Sequence, residues 1–164
     1  IKSCGVPYTF LRPSFFMQNL NTTHRDEIRD EGEIYLPVGD ARTSFIDTRD
    51  IGAVATHMLI ESGHENQAYD LTGGESLDYY RVAEVFSEVL GREVIYRNPS
   101  VPAFIWRTWR RGTPLEFTLV MALLYKATQE GAANVVTEDV NRLLGRPPIT
   151  IRQYIEDYAE SWQS

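Results

Sequence analysis

Apolar residues in this chain switch between short dense runs and wider helical stripes, and that switching predicts alternating strands and helices. Val6-Pro7-Tyr8-Thr9-Phe10-Leu11 is dense in β-branched, aromatic and aliphatic residues, the pattern of a strand buried on both faces. Pro13 denies the ladder a donor and pushes Arg12 away from helical geometry, so the strand is expected to end there. Ser14 is placed to cap a helix from about 14 to 29, with Phe16, Met17 and Leu20 as its apolar positions. A buried strand that stops in a turn and a helix presents backbone and side chains to a ligand at the strand's carboxyl end.

The pattern continues in the same rhythm. Residues 33–36 read as a short strand closed by Pro37, and residues 43–47 are extended. Asp50 is expected to cap a helix striped by Ile51, Val54, Ala55, Met58 and Leu59. Residues 68–72 form a second candidate strand of the main sheet, pairing in parallel with residues 8–11. Asp78 caps the next helix, whose buried face is Val82, Val85, Phe86, Val89 and Leu90, and Gly91 ends it. Residues 93–97 offer a strand to pair with 33–36 in a small accessory layer. Beyond Pro99 only helices are expected. One spans 101–111, and its tryptophans are expected to pack inward. Another, 115–130, is apolar on most faces, as a helix buried in a core or against a partner would be. Thr137 is expected to start a short helix, and Thr150-Ile151-Arg152-Gln153 opens the last one in capping-box form.

Composition narrows the class. The chain has 164 residues, 43% of them hydrophobic and 24% charged, which suits a globular domain. A net charge of −7 argues against non-specific binding to nucleic acid or to an anionic membrane. The single cysteine, Cys4, excludes an internal disulfide and fits a cytoplasmic setting. The opening Ile1-Lys2-Ser3-Cys4-Gly5 has the cation and glycine of a helix end without a helix before it. That reading predicts a fragment; the alternative is a disordered leader.

The usual chemical signatures are missing. Gly73-Gly74 follows a strand but lacks the further glycines of a dinucleotide loop, and is better read as a turn. There is no P-loop and no nucleophile elbow. His24, His57 and His64 share no metal-ligand spacing with each other or with Cys4, and each is expected at the surface or half-buried. No Tyr precedes a Lys by four residues. Arg49 is expected to pair with Asp47 or another acid. Arg107, Arg110 and Arg111 share a helix face that suits either solvent or an anionic ligand.

Residues 3–19, Ser3 through Asn19, resemble the strand–loop segment in the second half of NmrA-like proteins, a branch of the atypical short-chain dehydrogenase/reductases. Phe45–Gly52 and Ala68–Gly73 match the two segments that follow in the same order, and Leu143–Pro148 is similar to the tail of bacterial members. The resemblance implies the C-terminal part of a Rossmann-type doubly wound parallel sheet plus a mostly helical substrate-side lobe, divided as residues 1–98 and 99–164. It implies NADP or NAD as cofactor in the whole protein, with the Gly-rich loop outside this chain. Cofactor-binding positions carried over are Pro13, Ser14, Phe15, Phe16 and Met17; the positions facing substrate are Phe16, Asn19 and Trp106. The implied activity is hydride transfer from NAD(P)H to a small carbonyl or quinone-like compound. The alternative is a regulatory protein that senses the cofactor and binds a protein partner. A strand at 8–11 without an upstream neighbour would leave a bare edge, so self-association or a separate N-terminal half is expected as well.

Overall fold

A computed structural model describes residues 1–163. The order of its main elements is β1 (Thr9–Pro13), α1 (Gln18–Asn21), β2 (Glu33–Tyr35), β3 (Arg42–Thr43), α2 (Thr48–Ile60), β4 (Gln67–Leu71) and β5 (Leu77–Asp78). There follow α3 (Tyr79–Leu90), β6 (Ile95–Arg97), α4 (Val101–Arg110), α5 (Leu115–Gln129), α6 (Asp139–Leu144) and α7 (Ile151–Asp157). A 3₁₀ turn at Lys2–Cys4 precedes β1, and another at Ala159–Trp162 follows α7.

The expected pairings are present. β1 and β4 run parallel with Phe10 opposite Ala68, and β2 and β6 run parallel with Ile34 opposite Tyr96. β3 and β5 make a third, antiparallel pair. Tyr69 and Leu71 of β4 bury against Val54 of α2 and Val140 of α6 in a small core. A larger core gathers α3, α7, β2, β6 and the inner faces of α4 and α5 around Phe86, Tyr154 and Trp162. No helix among the described residues is long and apolar enough to cross a membrane.

Several local expectations are corrected. The first strand is half-buried rather than buried on both faces, because β4 is its only ladder partner among the described residues. Pro13 occupies its last position. Alternate residues donate to β4, and Ser14 N–H gives 2.9 Å to the Leu71 carbonyl, so the donor Pro13 lacks falls on the outer edge.

The long helix from Ser14 is absent. Residues 15–17 are held by Ile46 instead: Ile46 N–H donates to the Phe15 carbonyl and Met17 N–H to the Ile46 carbonyl, both at 2.9 Å. A backbone committed to that bridge cannot start a helix. One turn forms at α1, and the charged run ends in a π-helical turn, Glu27–Glu31, that Gly32 closes with φ +64°.

The cap of α2 is Asp47, whose carboxylate accepts from Arg49 N–H at 2.8 Å. Asp50 lies one turn into the helix, fully buried, where it accepts from Ile149 N–H at 2.7 Å and meets Arg146 at 2.7 Å. Leu59, expected on the buried stripe, is 86% exposed.

Trp106 and Trp109 face outward, with only Phe104 of α4 fully buried. Thr137 does not cap α6; its hydroxyl bonds the Asp70 carbonyl and ties the loop to β4. By contrast Asp78, Gly91 and Thr150 do terminate helices as expected.

Candidate functional site

Ser14 and Phe15 leave β1 at its carboxyl end and, with Asn19, form one wall of a cleft. α5 forms the other wall, and the cavity between them measures about 390 Å³. Ser14, Phe15 and Asn19 face Tyr125, Met121 and Leu124 across it, and Ala132 and Ala133 close one end. The loop is fixed from behind. Ser44 Oγ lies 3.0 Å from Ser14 Oγ, and Ser44 N–H donates 2.8 Å to the Ala133 carbonyl, which ties β3's exit to both walls. Phe15 packs edge-on against Phe45 at 5.6 Å, so its ring is held rather than swinging free.

A buried polar network anchors the turn that follows. Asp47 is inaccessible to solvent and accepts from Gln18 Nε2 at 2.9 Å, from Arg49 N–H, and from the Arg49 guanidinium at 2.7 Å. Gln18 Oε1 in turn accepts from Thr48 N–H at 3.0 Å. Burial alone would push the Asp47 carboxyl up, but the hydrogen bonds from Arg49 and Gln18 outweigh it and leave the group below its ordinary range. Arg49 therefore pairs with Asp47, as expected, and also reaches Asp157 of α7 at 2.6 Å.

Of the positions singled out from sequence, Ser14, Phe15 and Asn19 meet in the cleft. Met17 is buried in the large core and shows only 2% of its surface. Phe16 stands beside the cleft with its ring 37% exposed, and Pro13 belongs to the ladder. Trp106 lies outside the cleft lining, on the outer face of α4, 57% exposed and 5.8 Å from Trp109. The cationic face of α4 meets protein: Arg107 pairs with Glu31 and Glu33, and Arg111 with Glu27 and Glu31.

Sequence reading missed the polar pair inside the cleft. His24, expected at the surface or half-buried, is 97% buried, and its Nε2 lies 2.9 Å from the Tyr125 hydroxyl of α5. The residues are 101 positions apart, and no spacing rule links them. Burial pushes the Tyr125 hydroxyl well above the ordinary phenol range, and the nearby charge of Glu27 adds to it. No group of residues suited to hold a metal ion occurs among those described. The cleft lining carries neither lysine nor arginine, so it suits a neutral group and not a pyrophosphate.

The architecture is that of a Rossmann-type α/β protein. Two solved structures share it: an Escherichia coli NADPH-dependent quinone oxidoreductase, with TM-score 0.88 and 22% identity over 96% of this chain and 57% of that one, and a Citrobacter triphenylmethane reductase complexed with NADP(H), with TM-score 0.87 and 24% identity over 96% and 55%. The sequence model of the NmrA-like family matches residues 1–143, and the chain belongs to that family. An NAD(P)H azoreductase of Xenophilus azovorans is 35% identical over 162 residues, 99% of this chain and 56% of the azoreductase. The chain thus spans about half the length of the curated relatives it matches.

Proposed function

We propose that this chain is the substrate-side portion of an NAD(P)H-dependent reductase that transfers hydride to a small carbonyl, quinone or azo acceptor. The observation that carries the reading is the cleft: about 390 Å³, mostly apolar, at the carboxyl end of β1, where open α/β sheets bind their ligands. That volume suits an acceptor of one or two rings. When bound, the nicotinamide supplies the hydride. Its ring would be held against the exposed side chain of Phe16, while Ser14 and Asn19 would offer hydrogen bonds at the cleft. The azoreductase, quinone oxidoreductase and triphenylmethane reductase among its relatives and structural neighbours support a flat, conjugated acceptor.

The test is oxidation of NADPH by the full-length protein with 1,4-naphthoquinone, followed by absorbance, beside an NADPH titration read by tryptophan fluorescence. Turnover that saturates in quinone, and that drops roughly tenfold in kcat/KM when Phe15→Ala removes a cleft wall, is the expected result. Binding of NADPH without turnover of any quinone, azo or aldehyde acceptor would replace this reading with a cofactor-sensing role.

A further inference from the structure

Two polar groups stand among the mostly apolar residues that line the cleft. His24 and Tyr125 both line it, and their 2.9 Å contact is buried. Tyr125 is clamped on its other side by Phe104, edge-on at 5.5 Å, so the hydroxyl has little freedom to leave. Behind His24, Glu27 Oε2 stands 3.5 Å from Nδ1 and is itself held by Arg111 at 2.8 Å. Glu27 and His24 also line a second, neighbouring cavity, which shares Thr23, Phe117 and Met121 with the cleft. Tyr125, His24 and Glu27 therefore stand in line, Tyr125 hydrogen-bonded to His24 and His24 in charge contact with Glu27.

We propose that Tyr125 is the proton donor to the acceptor in this cleft, and that His24, positioned by Glu27, recharges it from the second cavity. The proposal rests on the reductase reading above for its substrate class. Reduction of a carbonyl or quinone needs a hydride and a proton. NAD(P)H supplies the hydride to carbon or to the conjugated ring, and becomes NAD(P)⁺. The acceptor oxygen takes the electron pair of the broken C=O bond and forms a new O–H bond as the Tyr125 O–H bond breaks. In the competent arrangement Nε2–H of His24 points at the Tyr125 oxygen and Nδ1 faces Glu27. That leaves the tyrosine hydrogen free to point into the cleft. The phenolate then takes the Nε2 proton, and one proton from solvent restores His24. The groups that bear on His24 are Glu27 and Asp26 on its own segment, Tyr125 on α5 and Arg111 after α4. A proton donor of this kind typically contributes 10²–10⁴-fold to rate.

Two readouts test it. In the full-length protein with NADPH and 1,4-naphthoquinone, Tyr125→Phe is expected to lower kcat by about 100-fold with little change in the quinone KM. His24→Gln is expected to lower kcat by about tenfold while leaving the quinone KM nearly unchanged. The second readout needs no turnover. On this chain alone, 4-nitrophenolate serves as an oxyanion probe whose absorbance moves to shorter wavelength when a donor binds its oxygen. The shift is expected with the natural chain and lost with Tyr125→Phe, whose thermal unfolding reports that the fold is kept. A natural chain that leaves the 4-nitrophenolate spectrum unmoved overturns the proposal. So does turnover that Tyr125→Phe leaves intact. Absence of turnover in the unsubstituted protein, with the probe shift present, sinks the reductase reading and leaves the donor in place.

Discussion

Helices α3 and α5 are both rich in apolar residues, and the protein uses them in opposite ways. α3 carries a stripe at helical spacing, is capped by Asp78 through Arg81 N–H at 2.8 Å, and ends at Gly91 in the left-handed region. Every large residue of its stripe reaches the large core, where Phe86 meets Trp162 edge-on at 4.9 Å. α5 has no side-chain cap and is apolar nearly all round, yet buries only the face of Thr118, Met121, Ala122, Tyr125 and Thr128. Phe117, Leu119, Val120, Leu123 and Leu124 remain exposed. The buried face of α5 carries three hydroxyl groups, Thr118, Tyr125 and Thr128, and Tyr125 lines the cleft. Apolar content alone therefore does not say which face of a helix is inside; the neighbours' shape and hydrogen-bonding needs do.

The largest test of this contrast is to hollow each helix in turn. Phe86→Ala is expected to cost about 4 kcal/mol, the range for emptying a buried aromatic site, measured by denaturant unfolding. Leu123→Lys, at a position 67% exposed on α5, is expected to change stability by less than about 0.5 kcal/mol. If the two cost the same, the outer face of α5 is packed in solution and the contrast fails.

Between these extremes lies Asp47, which caps α2 and orders the cleft turn through Gln18. Its native carboxyl is held below the ordinary range, so the stabilisation is present above about pH 4 and is lost as pH falls through the native value. Asp47→Asn keeps the shape and removes the charge. It is expected to cost about 2 kcal/mol at neutral pH and less as pH falls below the ordinary carboxyl range. A loss that stays constant from pH 7 to pH 3 would mean the charge is not what the network uses.

How far the molecule was legible can be judged from single residues. Asp78, Gly91 and Thr150 act on backbone groups within a few positions, so their roles follow from adjacency. The parallel pairing of β1 with β4 was also legible, because a dense strand, a helix and a second strand admit few other arrangements. Ser14 was misread because its competitor, the bridge from Ile46, lies thirty residues away. Trp106 was misread because bulk suggested burial, while Phe104, Val101 and Ile105 turn to the core beneath α4. Ser14, Phe15 and Asn19 came together as a cleft wall, but the residues facing them across it could not be foreseen.

The sequence by itself determined the α/β order, most helix ends, the pairing of the two principal parallel ladders, and the family to which the chain belongs. Those rest on local hydrogen bonds, on side-chain periodicity and on motifs that are contiguous in the chain. Tertiary structure alone decided that Asp47 rather than Asp50 caps α2, that α5 turns Tyr125 inward, and that His24 is buried against it. Each of those outcomes satisfies a buried polar atom with a partner far along the chain, and only the folded arrangement brings such partners within reach.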